Sequence, residues 1–237
     1  MKTNQEKEIH KMSMLVQNTI NKLTLHQNRI LCVLLGTKRS HSDITIKELL
    51  DLLHLSDGGD NYKMIREQTE DFFANCLVTF TDGSKHIGLM YFENFIYDED
   101  TNIISFKWSE SIKPYLTELN DCFTKYLQGN FLLLKSKRSQ VLYELMKSYQ
   151  SQKFITISVG DLKKKLNANK PSYEKFKYFN DHVLKKALKE INGVTDIVVS
   201  VKPIKQGRNI VSLNFTITAK EPDFEIDEET GELKNLG

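Results

Sequence analysis

Lys175, Tyr178, Asp181, His182 and Lys185 recur at intervals of three and four residues, so on a helix they share one face. Together they supply cationic donors, a carboxylate acceptor, an imidazole and a phenol, a set able to hydrogen-bond the base edges exposed in a groove of duplex DNA. Around them lie groups suited to phosphates: Lys177, Lys186 and Lys189 on the same stretch, Lys205 and Arg208 flanking a Gln-Gly turn, and Ser136, Lys137 and Arg138 ahead of a second apolar stripe. Each has a plainer reading. Asp181 also stands at helical spacing from Lys177 and Lys185 and can pair with either, His182 can face solvent, and a single lysine is an ordinary surface residue. The other side of the stretch, Phe176, Phe179, Val183, Leu184, Ala187, Leu188 and Ile191, has the spacing of a core face, and Tyr173 falls with it as a packing residue.

Catalytic chemistry does not find its residues. No glycine is followed by lysine, so the phosphate loop GxxxxGK[ST] is missing. The histidines, His10, His26, His41, His54, His86 and His182, are isolated, with no pair to hold a metal beside a nucleophilic tyrosine. Cys32, Cys76 and Cys122 have no ligand spacing and read as reduced core residues. Asp98-Glu99-Asp100 reads as a solvated hairpin turn. The expectation is a protein without enzymatic activity, cofactor or metal.

Net charge is +2 over 237 residues, but it is unevenly distributed. Residues 1 to 134 hold 14 basic and 18 acidic side chains, residues 135 to 220 hold 18 and 6, and the tail from Glu221 holds one and seven. A surplus of +12 in one region points to a polyanionic partner for it. The longest apolar run, Ile30 to Leu35, is six residues, and the opening MKTNQEKEIHK has no apolar segment, so a cytoplasmic chain with no membrane partner is expected.

The elements that would position these residues occur twice. At an offset of 111, Leu31 aligns with Leu142, Leu34 with Leu145, Ile44-Thr45-Ile46 with Ile155-Thr156-Ile157, Tyr62 with Tyr173 and Leu77 with Leu188, without a gap. The first copy reads as a helix opened by a Thr24/Gln27 capping box, a short β-branched strand, a helix over 47–53, a turn at 56–60 and a helix over 61–74. A hairpin over 78–81 and 86–97 follows, and a turn at 98–102 leads the chain again into a strand over 103–108. The second has a helix over 136–149, a strand over 154–157, a helix over 160–166, a helix over 172–191 and a hairpin around Gln206-Gly207-Arg208-Asn209. This order is that of a winged helix, whose last helix enters the DNA major groove. The fold expected is α+β: two tandem winged-helix domains over 1–120 and 121–220 and an acidic tail over 221–237, with Ser109 to Leu119 connecting the copies. Matched at the same offset, the first copy presents Met64, Glu67, Glu70, Asp71 and Ala74 where the second has its groove-facing residues. That acidic face would repel phosphates and leave only backbone contacts for Lys63 and Arg66.

Three stretches, FTKYLQGNFLLLKSKRSQVLYELMKSY, SYEKFKYFNDHVLKKALKEINGVTDI and LTLHQNRILCVLL, strongly resemble the plasmid replication initiators that bind iterons, short direct repeats at an origin. The resemblance runs from about Asn18 to Thr218. It implies that the second winged helix grips iterons in double-stranded DNA, with Lys175, Tyr178, Asp181 and His182 at the base-contacting positions. It also implies monomers that start replication with host replication proteins, and homodimers that bind an operator inverted repeat and repress their own synthesis. The tail lies outside the resemblance and reads from composition as a disordered end. Two rivals are a plain repressor that needs an inverted repeat, and a winged-helix scaffold that binds only protein.

Overall fold

The computed structural model describes residues 7–117, 123–220, 224–226 and 233–235. The chain opens with β1 (Glu8–Met12) and α1 (Ser13–Asn18), and then enters the first winged helix. Its helix α2 (Leu25–Gly36) begins in the capping box read from sequence: Thr24 Oγ1 accepts from Gln27 N at 3.1 Å, and Thr24 N donates to Gln27 Oε1 at 3.0 Å. β2 (His41–Thr45), α3 (Ile46–Leu52), α4 (Gly59–Glu70) and α5 (Phe72–Asn75) follow, then β3 (Leu77–Asp82), β4 (Lys85–Met90), β5 (Phe92–Asp98), β6 (Ile103–Trp108) and α6 (Pro114–Thr117).

The continuous strand expected over 86–97 is two strands in separate units, while the turn at 98–102 into a strand over 103–108 is present as expected. β3 pairs only with β4, while β5 pairs with β6 in a sheet of order β2-β6-β5, so the wing is β5-β6 and β3-β4 is an added hairpin. The break falls at Tyr91 because the chain is drawn inward there. Tyr91 N donates to Cys76 O, Ser109 N donates to Tyr91 O, and Phe92 stacks on Trp108 at 4.7 Å beside Phe72, Phe95 and Phe106. Asp98, in the acidic turn, accepts from the backbone of Asp100 and Thr101.

β7 (Phe123–Leu127) and α7 (Gln128–Leu133) lead to the second winged helix: α8 (Lys137–Ser148), β8 (Phe154–Ser158), α9 (Val159–Lys165), α10 (Phe176–Phe179), a π turn (Asn180–Leu184), α11 (Lys185–Val194), β9 (Ile197–Gln206) and β10 (Asn209–Ala219). Its sheet, β8-β10-β9, repeats the order of the first. In the tail, β11 (Phe224–Ile226) pairs with β12 (Leu233–Asn235), so the expectation of an end without structure does not hold for those residues. The rest of the tail, and Cys122, lie outside the described residues.

The repeat is present, but its register is not gapless. α2 and α8 have the same twelve-residue length and the same buried positions at an offset of 112. The caps Thr45 and Ser158, and the left-handed residues His54 and Asn167 after α3 and α9, stand at 113. In the third helices the buried run Ile65, Thr69, Phe72 and Cys76 matches Leu184, Leu188, Ile191 and Thr195 at 119. The differences accumulate in loops, where added residues cost little. Matching residue types at 111 therefore slipped the third helices by eight residues, and the acidic face deduced for the first copy is not the counterpart of the second copy's groove-facing residues. At 119, Lys63 and Arg66 stand opposite His182 and Lys185.

The N-terminal arm ties the two halves together. β1 pairs with β7, Lys11 Nζ donates to the Glu144 carboxylate at 2.6 Å, and Tyr126 Oη donates to the same carboxylate. Burial works against the Lys11 charge, but Glu144 more than offsets this and holds the amine above its ordinary range. Lys165 on α9 donates to the carbonyls of Val16 and Thr19 at the end of α1, and burial lowers its amine to about 8. No helix among the described residues is long and apolar enough to cross a membrane.

Candidate nucleic-acid interface

Pro171 locks a 3-10 turn over Pro171–Tyr173, and Lys175 stays extended at φ −71°, ψ 129°, as the residue capping α10. The helix thus starts four residues later than its apolar pattern suggested, and Lys175 lies exposed ahead of the first turn instead of within it. From Phe176 to Val194 the helical path is continuous through the π turn. Phe179, Val183, Leu184, Ala187, Leu188 and Ile191 are buried, and Phe176 and Tyr173 are half-buried against them. The extra residue of the π turn lets Val183 and Leu184 both face inward, and such turns recur at functional sites.

The outward face carries Lys175, Lys177, Tyr178, His182, Lys185, Lys186 and Lys189, all exposed. The rings of Tyr178 and His182 lie nearly parallel, 14° apart with centroids 6.4 Å apart. Asp181 pairs with Lys185 at 2.8 Å, and that hydrogen bond keeps its carboxyl below the usual range. By contrast Lys175, Lys177, Lys186, Lys189, Lys205 and Arg208 make no ion pair among the described residues. Lys205 and Arg208 sit at the tip of the β9-β10 wing, turned by Gly207 at φ 62°.

The start of α8 completes the site. Ser136 caps the helix without a side-chain hydrogen bond, and no acid lies in the first turn, so the leading backbone N–H groups have no side-chain acceptor there. Ser139, whose hydroxyl is buried and unpartnered, lines a groove with Ser136, Tyr173, His182 and Lys186. A helix N-terminus beside a buried hydroxyl and the Lys186 ammonium can receive an oxyanion, with the Glu190 carboxylate on the same groove wall held by Lys135 N. Sequence reading missed Ser139; the signal was its place three residues after the capping serine. Arg138 plays another part. It lies over the Tyr173 ring at 5.1 Å and donates to Leu166 O at 3.3 Å, bolting the turn before α10 to α8. Lys137 is half-buried, and burial lowers its amine. In the first winged helix Lys63 is exposed beside Glu67 at 3.9 Å, and Arg66 lies over Tyr97 at 5.7 Å.

Several residues that carry the resemblance hold this frame in place. Tyr143 Oη donates to Asp196 at 2.8 Å, Lys147 pairs with the same carboxylate, Asn192 bridges the N–H and C=O of Val199, and Glu190 accepts from Lys135 N. They fix α8, α11 and β9 relative to one another.

The fold and this basic face define a protein of tandem winged helices with a nucleic-acid type of surface on the second. The family model described as "Initiator Replication protein, WH1" matches residues 9–147, and that described as "Initiator Rep protein, WH2" matches residues 158–217. The chain belongs to this initiator replication protein family. It is 30% identical to the PI protein of Escherichia coli over 172 residues, which make up 65% of this chain and 56% of that relative, so the match spans little over half the relative's length. Among solved structures it is similar to a Pi initiator protein crystallised in complex with iteron DNA, with a TM-score of 0.78 and 24% identity over 93% of this chain and all of that one. Domains 2 and 3 of RctB are more distant, with a TM-score of 0.48 and 16% identity over 83% of each chain.

Proposed function

We propose that this chain is a plasmid replication initiator that binds double-stranded iterons at an origin through its second winged helix. The observation that carries the reading is the set of six exposed cations without ion pairs, on one helix face and the adjoining wing, next to the open N-terminus of α8. A surface that served only solubility would intersperse both signs. Family membership and the neighbour crystallised with iteron DNA support the same reading. In this mechanism α10 and α11 enter the major groove. Lys175, Tyr178 and His182 meet base edges there, while Lys177, Lys186, Lys189, Lys205, Arg208 and the α8 terminus hold phosphates. Monomers on adjacent repeats bend the origin and help open a neighbouring AT-rich segment for host replication proteins, with DNA strain supplying the work and no nucleotide hydrolysed. Homodimers bind an operator inverted repeat and repress synthesis of the chain.

Selection of bound duplexes from a random pool tests this, followed by titration of the winning sequence as one copy, as direct repeats and as an inverted repeat. Independent filling of direct repeats by monomers is the expected result. Preference for the inverted repeat alone makes the chain a plain repressor, and no enriched sequence refutes specific duplex recognition.

A further inference from the structure

A cavity of about 360 Å³ lies between β1, the end of α2 and the segment from Trp108 to Leu116. That is the size of a small-ligand pocket. Leu35, Trp108 and Leu116 supply its apolar walls. Trp108 is fixed there by two bonds to the loop after α2, from its Nε1 to Arg39 O at 2.8 Å and from its N to Ser40 O at 3.1 Å. The cavity shares no residue with the basic face of the second winged helix.

Its polar groups are of two kinds. Lys38 and Arg39 are exposed at its edge, and neither makes an ion pair among the described residues; Arg39 Nη1 donates to Ser42 Oγ at 3.0 Å. The nearby acids are already engaged, Glu110 with Lys113 at 2.5 Å and Glu8 with His10 at 2.6 Å. This cationic edge belongs to a half of the chain, residues 1 to 134, in which 18 acids outnumber 14 bases. The second kind is His10, whose side chain is only 10% exposed. Its Nε2 faces the Glu8 carboxylate, while its Nδ1 is buried and has no partner among the described residues. With the Nε2–H given to Glu8, the neutral ring offers Nδ1 as an acceptor, and a buried acceptor left empty is costly.

We propose that this cavity binds an acidic peptide segment of another protein. One large apolar side chain of that segment fills the space between Leu35, Trp108 and Leu116, carboxylates flanking it meet Lys38 and Arg39, and a backbone N–H donates to His10 Nδ1. A peptide brings all three groups at once. A small apolar acid can line the walls and meet one cation, but it has no N–H for His10. Burial of the apolar side chain supplies most of the affinity, and the charge pairs, exposed at the edge, supply selectivity for acidic sequences.

Trp108 is the only tryptophan in the chain, so its emission reports on this cavity alone. The test titrates the full chain with the blocked peptide Asp-Asp-Leu-Phe-Asp-Asp, with the same peptide carrying Ala for Phe or Asn for every Asp, and with octanoate as the small apolar acid. Tryptophan fluorescence locates the binding and calorimetry measures it. The acidic peptide shifts Trp108 emission saturably, and loss of its Phe weakens binding roughly tenfold or more. A variant with Lys38→Gln and Arg39→Gln, both at exposed positions, binds the Asp peptide roughly tenfold more weakly and the Asn peptide as the parent does. An emission of Trp108 that stays unchanged at saturating peptide overturns the proposal. An equal loss for the Asp and Asn peptides in the variant overturns it too, because the cations would then not be meeting the acids. Octanoate binding more tightly than the peptide would make the cavity a small-acid site and reject the peptide.

Discussion

Replacing Lys11 by Met isolates the link between the N-terminal arm and the second winged helix. The substitution keeps the apolar stem but leaves the Glu144 carboxylate, 8% exposed, with the Tyr126 hydroxyl as its remaining hydrogen-bond partner. An uncompensated buried carboxylate has two ways out. Staying ionised costs several kcal/mol of lost hydration. Taking up a proton at pH 7, starting from an ordinary carboxylate, costs about 3.7 kcal/mol, and about 1.4 kcal/mol less for each unit the pH falls. The cheaper route sets the loss: about 3 to 4 kcal/mol at pH 7, shrinking to about 1 at pH 5. The sign follows from linkage, since the folded variant binds a proton that the unfolded chain releases, so its stability falls as pH rises through this window. Urea unfolding of parent and variant at the two pH values, followed by tyrosine and tryptophan fluorescence, reads the difference. Adding Glu144→Gln to Lys11→Met removes the buried charge and recovers most of the loss. A loss under about 1 kcal/mol at pH 7, or one equal at both pH values, would refute the reasoning.

Ser139→Ala leaves thermal stability unchanged within about 0.5 kcal/mol, because the hydroxyl has no partner to lose, yet weakens duplex binding in anisotropy titrations; equal binding removes the oxyanion role of the α8 terminus. Lys175→Ala costs about 1 to 3 kcal/mol on the selected sequence and little on random duplex, whereas Arg208→Ala weakens both alike, and identical profiles for the two would end the assignment of Lys175 to base edges. Arg138→Ala, which loses its place over Tyr173 and its bond to Leu166 O, lowers stability by about 1 to 2 kcal/mol in urea titrations. Burial holds the Lys165 amine at about 8, below its unfolded value. The folded chain therefore sheds a proton that the unfolded chain keeps, and stability relative to Lys165→Met rises between pH 8 and about 10; a flat difference contradicts this.

Local pattern by itself determined much of this protein. The helical spacing of Phe179, Val183, Leu184, Ala187, Leu188 and Ile191 specifies which side of the helical path over 176–194 is buried, because that periodicity is a property of the chain alone. The capping box at Thr24 is equally local, and the separation of charge between residues 135–220 and the tail is a matter of counting. Tertiary structure decided the register of the repeat, because length differences hide in loops while burial reveals equivalence, and that alone moved the first copy's third helix by eight residues. It also decided which hairpin is the wing, because the break at Tyr91 depends on an aromatic cluster assembled from Phe72, Phe92, Phe95, Phe106 and Trp108. Spacing left Asp181 open between Lys177 and Lys185, and the turn geometry placed Lys185 at 2.8 Å. Lys11 and Glu144 are 133 positions apart, and no spacing rule links residues that meet only when the arm crosses to the second winged helix.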